Sequence, residues 1–469
     1  MNKSKVITDK TSGSSLSENE MAKRSRPYKK PMRPFQKYLI LFWIIFFIVV
    51  LAMAATRDVY SNRSRNAGAL EPVIVFLAKL PHHILGLSKG VKPLVVESSK
   101  DQNGFTFSDK YSGSKDYLLL AVWDDALDQS IVKLVRIHDG KILHKWIPDV
   151  DNLNDIFNAA EKEIETAKLT KSRTQLLHPY LLPDGSLIFS AGGIFRIDKD
   201  SNIIWANPSS SGHSIEPDSE GNVWFCGLNS SPVNMDKFEI KDESIKQISI
   251  SNGEVVFQKS VFEILMENGY GMANFFNSPF LDTLSTRLDY IHLNDVQPVF
   301  ENSKYWKRGD VFISLRHQNL VFLYRPSTNK ILWYQKGPWL KQHDVDIIDS
   351  TRISIFGNDV IDAKLRTSQR LVDGHNNQYI YNFSNGELTK PYDDFFESSS
   401  IGTVTQGLST LLSDGTLFVE ETKNGRLLFG DEKSVIWSYT ERIDDKRISL
   451  LAWCRYITEE EFKTFTFIN

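Results

Sequence analysis

The residues able to do chemistry cluster in one stretch, 313–359, which reads ISLRHQNLVFLYRPSTNKILWYQKGPWLKQHDVDIIDSTRISIFGND. It carries Arg316 and His317 at the end of one apolar run. A Gly337-Pro338-Trp339 turn follows, and then His343 and Asp344 at the start of another. Three further histidines, His178, His213 and His292, stand like His343 just ahead of strand-like segments that open similar units, and Gln406 takes that place in a later unit. A neutral imidazole is a metal ligand, a proton carrier or a nucleophile. A guanidinium is repelled by a dication, but its fork of donors suits an oxyanion. Histidines together with Arg316 therefore describe a sulfate or phosphate site better than a metal site, and no metal is expected. Each histidine taken singly reads better as a residue satisfied by a structural, blade-to-blade hydrogen bond; the four together with Arg316 shift the balance toward a site.

The elements that must position these groups are short β-branched and aromatic runs separated by Asp-Gly, Asn-Gly and Pro-Asp-Gly turns, which are hairpin signals. The runs superimpose as repeats: 117–149, 176–208, 211–260, 290–338, one beginning at 341–359, and 405–440. Each complete unit offers about four strands, and most close on an apolar-x-Trp, namely Trp146, Trp205, Trp333 and Trp437. Units of this length with four strands each are the signature of a β-propeller. The expected fold is all-β: a six-bladed propeller over 116–469, with an inserted helix at 151–170. Equivalent positions of successive blades encircle one axis, so the spread-out histidines are expected to converge at one channel mouth.

The charge is nearly balanced, at −3, and beyond the N-terminal tail no basic patch is interleaved with aromatics, so no nucleic-acid partner is expected. The two cysteines, Cys226 and Cys454, have no zinc-ligand spacing; a disulfide and two buried thiols both remain open. Residues 1–37 hold ten Lys or Arg against three acidic residues and read as a disordered cytoplasmic tail. Residues 38–56, YLILFWIIFFIVVLAMAAT, carry no charge and as a helix reach about 28 Å, close to the hydrocarbon thickness. Ala52-Met53-Ala54 resembles a signal-peptide cleavage site, but the long preceding tail favours an uncleaved anchor. Seven positive residues in 22–37, against three just after the segment, place the N-terminus in the cytoplasm and the remainder outside it. Residues 57–115 read as a connector.

The segments YIHLNDVQPV, ISLRHQN, GPWLKQHDVDIID with ISIFGND, and TQGLSTLLSDGTLFVEE together resemble the bacterial arylsulfotransferases over roughly 116–457. The resemblance implies a periplasmic enzyme, here held at the inner membrane by a single-pass anchor. It would move a sulfuryl group from a small aryl sulfate donor to another hydroxyl without the nucleotide sulfate donor and without a cofactor. It makes His343 the transiently sulfated nucleophile, Arg316 an oxyanion clamp, His292 a donor to the sulfuryl or bridging oxygen, and His213 an additional site histidine. His178, Asp344 and Asn358 are the expected substrate contacts; Asp344 either orients His343 or caps its turn. His317, on the opposite side of a strand from Arg316, is expected to be structural. The short connector and the anchor leave a phenol and a glycan or lipid-linked acceptor both open. Two other readings stay open as well: a non-catalytic propeller that binds an anionic glycan or scaffolds an envelope complex, and a metal-dependent lyase or hydrolase.

Overall fold

The computed structural model describes residues 34–60, 94–98, 102–160, 169–208, 210–235, 238–277, 287–362 and 369–468. Residues 1–33 of the expected tail, most of the connector and 161–168 of the expected 151–170 helix lie outside the described residues; residues 34–37 of that tail are helical, and the inserted helix is described as Val150–Ala160. The chain divides into two compact units, Met1–Gly90 and Val91–Asn469.

In the first unit a helix of 27 residues, Pro34–Tyr60, covers the apolar run. Its side chains are described over 36–52, and those from Tyr38 to Leu51 are exposed. Among the described residues no helix is long and apolar enough to cross a membrane.

The second unit is a ring of six antiparallel sheets, five of four strands and one of five. Blade 1 comprises Tyr117–Asp124, Gln129–Arg136 and Ile142–Trp146. Blade 2 is built from Leu177–Leu181, Leu187–Ser190, Ile194–Ile197 and Ile203–Asn207. Blade 3 has Ser210–Pro217, Asn222–Leu228, Glu243–Ser249 and Val255–Ser260. Blade 4 has Leu293–Pro298, Val311–Leu315, Leu320–Arg325 and Lys330–Lys336. Blade 5 has Asp344–Ile347, Arg352–Gly357, Asn377–Asn382 and Glu387–Thr389. Blade 6 has Leu408–Leu411, Leu417–Glu421, Arg426–Gly430 and Val435–Thr440. Blade 5 is the unit of which the sequence repeat showed only the beginning. A two-stranded excursion, Val360–Asp362 with Gln369–Leu371, separates its second and third strands and hides the period.

The C-terminal strand Arg455–Ile457 supplies the missing first strand of blade 1, with Tyr117 opposite Ile457 and Leu119 opposite Arg455. Closure in this way removes the sheet edges that an open ring would leave at its two ends. The stretch expected to be only a connector also contributes strands. Gly104–Phe107 adds a fifth strand to blade 6, where Phe105 packs on Trp437 and Tyr439 at 5.5 and 4.8 Å between ring centroids. Val95–Glu97 pairs with Arg447–Ser449.

Apolar alternation explains why the blades stack. Six buried clusters each join two neighbouring blades, around to the pair of blades 6 and 1. The closing tryptophans belong to these interfaces. Trp146 Nε1 donates to Gly185 O of blade 2 at 3.0 Å, and Trp205 Nε1 donates to Ile250 O of blade 3 at 2.9 Å. The indole thus fills the apolar gap and satisfies its own N–H. The Asp-Gly turns close by side-chain capping: Asp184 Oδ1 accepts Ser186 N–H at 2.9 Å and Asp414 Oδ1 accepts Thr416 N–H at 2.9 Å. Gly185 has φ +82°, and a Cβ there would lie 2.5 Å from the Phe467 ring, so both conformation and space require glycine. Cys226 and Cys454 are buried free thiols.

Candidate active site

Polar side chains on the first strands stitch each blade to the next. His178 Nδ1 accepts Ile215 N–H at 2.9 Å, Ser214 Oγ accepts Val296 N–H at 3.1 Å, Asp295 Oδ2 accepts Val345 N–H at 2.8 Å, and Asp344 Oδ2 accepts Ser409 N–H at 3.0 Å. These bonds bring the approaches to the first strands together. One residue from each blade then forms a contact series. His178 and Trp453 lie 5.7 Å apart by ring centroid, Trp453 and His213 5.6 Å, His213 and His292 5.1 Å, and His292 and His343 6.4 Å. The series ends where Gln406 N–H donates to His343 Nε2 at 3.2 Å.

The histidines do not, however, share a single backbone phase. Asp295 and Asp344 make the same bond to the following blade, and counting back three residues from each gives His292 and Lys341, with φ of 51° and 55°. His343 therefore occupies the place of Asn294, and Lys341 that of His292. His178, Gln406 and Trp453 also have left-handed φ values, of 51°, 59° and 57°, a conformation that non-glycine residues adopt at a cost. His213 reaches the cluster directly after Gly212, whose φ is 83°.

His343 is buried, 2 % exposed, and its tautomer is fixed by its neighbours. Nδ1 lies 2.5 Å from Asn358 Oδ1 and 3.1 Å from the carbonyl of Lys341. A carbonyl only accepts, so Nδ1 carries the proton, and Nε2, facing the Gln406 N–H, holds the lone pair. Asn358 is oriented in turn by donating through Nδ2 to Thr403 O at 3.0 Å and to Gln406 O at 2.8 Å. Burial, and after it the Arg316 charge, hold His343 well below the ordinary histidine pKa, so the ring is neutral at pH 7.

Arg316 and His317 are not on a strand. Arg316–Gln318 forms a 3-10 turn after the second strand of blade 4, so strand alternation does not apply, and the expectation that His317 faces away from Arg316 is corrected. Arg316 Nη1 donates to His317 Nε2 at 2.7 Å, and His317 Nδ1 donates to Asp289 O at 2.7 Å. The His317 ring lies 4.4 Å from that of His292. Gln318 completes the motif by fastening the segment before blade 4, donating to Phe275 O at 3.0 Å and Tyr290 O at 2.8 Å. His292 Nδ1 lies 2.8 Å from Asp289 Oδ2, and His292 N–H donates to Asp289 Oδ1 at 3.1 Å.

The electrostatics of the cluster favour an anion. Burial comes first in depressing every one of these histidines. His292 is lowered further by His213 and by the charges of Arg316, Lys241 and Lys341. His213 is brought to about 3 with help from Lys241, and His317 to about 2. Arg316, Lys241 and Lys341 act on these imidazoles as cations, with Lys241 paired to Glu243 at 2.7 Å and Asp289 the carboxylate on His292. The buried His213 Nδ1 has no hydrogen-bond partner among the described residues. Asp289, His292 and His317 also offer ligand atoms within 4.8 Å of one another. Both Nδ1 atoms already donate to Asp289, however, and Arg316 occupies His317 Nε2, so the trio reads as a tautomer-fixing network.

Of the residues singled out from the sequence, His343, Arg316, His292 and His213 come together, and Asn358 joins them as the partner of His343. His178 stands beyond Trp453, with Nδ1 on Ile215 N–H and Nε2 3.2 Å from Glu216 Oε1. Asp344 neither orients His343 nor caps its turn; it binds the next blade. Trp339 of the Gly-Pro-Trp turn is fully buried and packs against Tyr379 at 5.8 Å. Sequence reasoning missed Asp289, Lys241 and Lys341. The Asp289-x-x-His292 spacing was the one local signal for the first; nothing local marked the lysines. A cavity of about 580 Å³ between blades 5 and 6, lined by Arg352, Tyr392 and Glu432 among others, contains none of the cluster residues.

A closed six-bladed propeller thus gathers an arginine and buried histidines where its first strands converge. The arylsulfotransferase (ASST) family model matches residues 178–442, more than half of the chain and all of the clustered histidines with Arg316; the chain belongs to that family. No curated protein matches it. Among solved structures it is similar to a protein of unknown function from Bacteroides caccae, at 13% identity and a TM-score of 0.45, over 74% of this chain and 100% of that one. It is also similar to the hydrazine synthase of Kuenenia stuttgartiensis, at 12% identity and a TM-score of 0.37, over 64% and 70% of the two chains. Likenesses this distant carry no functional argument.

Proposed function

We propose that this protein is a membrane-anchored, extracytoplasmic sulfotransferase that passes a sulfuryl group from a phenolic sulfate ester to an acceptor hydroxyl through sulfated His343. The observation that carries the reading is the fixed tautomer of His343. A buried, neutral imidazole with its lone pair on Nε2 stands in a cationic pocket with Arg316, His292 and His213. Nucleophilic attack forms the Nε2–S bond and breaks the bond from sulfur to the phenolic oxygen, and the phenolate departs. The acceptor oxygen then attacks sulfur, and the bond to His343 breaks. Arg316 and the free His213 Nδ1 face the sulfuryl oxygens in this scheme; donors placed on developing charge contribute about 3 kcal/mol each. Attack requires Nε2 to leave the 3.2 Å bond from Gln406 N–H, which is long for a strong hydrogen bond.

Membrane attachment is supported by the uncharged run 38–56, by the unbroken exposed apolar surface from Tyr38 to Leu51 and by the charge bias around it. Aryl sulfate as donor follows from the family, and a phenol or a glycan as acceptor from the anchored position. The test is to incubate full-length protein in detergent with 4-nitrophenyl sulfate, quench, and measure intact mass. The expected result is a gain of one sulfuryl group on His343 that disappears on adding a phenol. No adduct and no nitrophenol release, with the fold intact, would overturn it in favour of a propeller that only binds.

A further inference from the structure

We infer that Asp289 is a positioning residue that makes His292 the proton carrier of sulfuryl transfer and, through His317, aims Arg316. The inference rests on the proposed sulfotransferase reading and deepens it.

Asp289 touches both histidines with different atoms. Its carboxylate takes the Nδ1 proton of His292 at 2.8 Å and the His292 backbone N–H at 3.1 Å. Its carbonyl takes the Nδ1 proton of His317 at 2.7 Å. Both rings are thereby held as Nδ1–H tautomers, with lone pairs on Nε2. At His317 that lone pair accepts Arg316 Nη1 at 2.7 Å and fixes the guanidinium. At His292 it is turned away from Asp289, on a ring 5.1 Å from His213 and 6.4 Å from His343 by centroid. A carboxylate behind an imidazole is the arrangement that orients a general base and stabilises the imidazolium it becomes. The short spacing of Asp289 and His292 makes the pair local, while blade 4 brings in His317 from 28 residues downstream.

The proton balance follows. As the acceptor hydroxyl attacks sulfur, its O–H bond breaks and the proton goes to His292 Nε2. The imidazolium is stabilised by Asp289 during the transfer. Burial holds His292 well below the ordinary histidine value, so the proton is not stored between turnovers but exchanges with water, and as the next S–O bond breaks a proton passes through His292 Nε2 to the leaving phenolate. Over one cycle the acceptor loses a proton, the departing phenol gains it, and no other reactant is needed.

The experiment uses full-length Asp289→Asn in detergent, with folding checked by its melting curve. The rate of His343 sulfation in a single turnover is measured with two donors, unsubstituted phenyl sulfate and 4-nitrophenyl sulfate. The first leaves as a strongly basic phenolate and needs the proton; the second does not. General acid–base groups contribute on the order of 10²-fold or more, so the variant is expected to slow His343 sulfation by about that factor with phenyl sulfate and far less with 4-nitrophenyl sulfate, whereas transfer to the acceptor slows equally after either donor. Sulfation of His343 by the nitro donor in a single turnover should persist. An equal loss of sulfation rate with both donors, or no loss, overturns the inference. The ¹⁵N shifts of selectively labelled histidine report the tautomer independently of activity: in the wild type His292 and His317 should both be protonated at Nδ1, and Asp289→Asn should move His292 alone. If the wild type transfers no sulfuryl group, the sulfotransferase reading fails, while a His292 protonated at Nε2 in the wild type overturns the role of Asp289 itself.

Discussion

Asn358 Oδ1 lies 2.5 Å from His343 Nδ1, and Asn358 Nδ2 donates to the carbonyls of Thr403 and Gln406. One amide thus ties the imidazole of blade 5 to the approach of blade 6 and decides which ring nitrogen of His343 holds the lone pair. Replacing it with leucine removes the acceptor while keeping the size. Asn358→Leu is expected to retain substrate KM within a few-fold and to lower the rate of His343 sulfation roughly 10-fold or more, since a mispositioned reactant is costly. Rapid-quench intact mass reads that rate directly; an unchanged rate would show that the Lys341 carbonyl suffices.

Arg316 is held by His317 in a fixed plane, so charge alone should not replace it. Arg316→Lys keeps the cation but loses the fork. The expected outcome is a loss of kcat/KM of about 10²-fold, close to that of Arg316→Gln, on the scale of one transition-state donor. Steady-state kinetics with both variants distinguish this from a simple electrostatic role, in which lysine would recover most of the activity.

Burial sets the pH behaviour of the cluster. His343 and His292 are depressed well below the ordinary value, so both rings remain neutral in mildly acidic solution. The acid limb of kcat/KM is expected below pH 6.5, the unperturbed value. The same depression affects stability. The folded state resists protonation that the unfolded state accepts, so stability from this source is present above pH 6.5 and is lost as the pH falls toward the folded values. Chemical denaturation across pH 4 to 7 should show it, and His343→Gln should reduce the slope.

Asp346 works in the opposite direction. Burial, with Glu216 beside it, raises its carboxyl to about 7. A raised carboxyl favours the folded state where it is protonated, below the unfolded value of about 3.9, and that contribution is lost as the pH rises through 7. Asp346→Asn is expected to remove this loss and to raise the melting temperature at pH 8 more than at pH 4. Equal shifts at both pH values would count against the assignment.

Trp146 tests the closing-tryptophan rule. Its side chain is fully buried and its N–H is bonded to Gly185 O in the next blade. Trp146→Phe should cost about 1–3 kcal/mol, from the orphaned carbonyl and the lost volume, without altering the kinetics of a site built on blades 3 to 5. Denaturant titration alongside activity separates the two.

The sequence by itself determined the blade architecture, because turn chemistry and alternation are local properties. Asp-Gly turns, apolar-x-Trp closures and repeat length made five units and the start of a sixth legible, and His213, His292, Arg316 and His343 stood out as residue types in a shared pattern. What only the tertiary structure decided was non-local. The edge strand Gly104–Phe107 meets blade 6 across more than three hundred residues, which no period records. His317 read as structural because strand alternation was assumed, and a 3-10 turn turned it toward Arg316. His178 and Asp344 matched the pattern yet serve the seams, since a backbone N–H from the following blade reaches them first. Asp289 and Asn358 fix the proton positions on His292 and His343 through contacts of a few ångströms. Such contacts exist only after ring closure has set the blades side by side, and for that reason the chemistry of the histidines was visible in their identity but not in their tautomers.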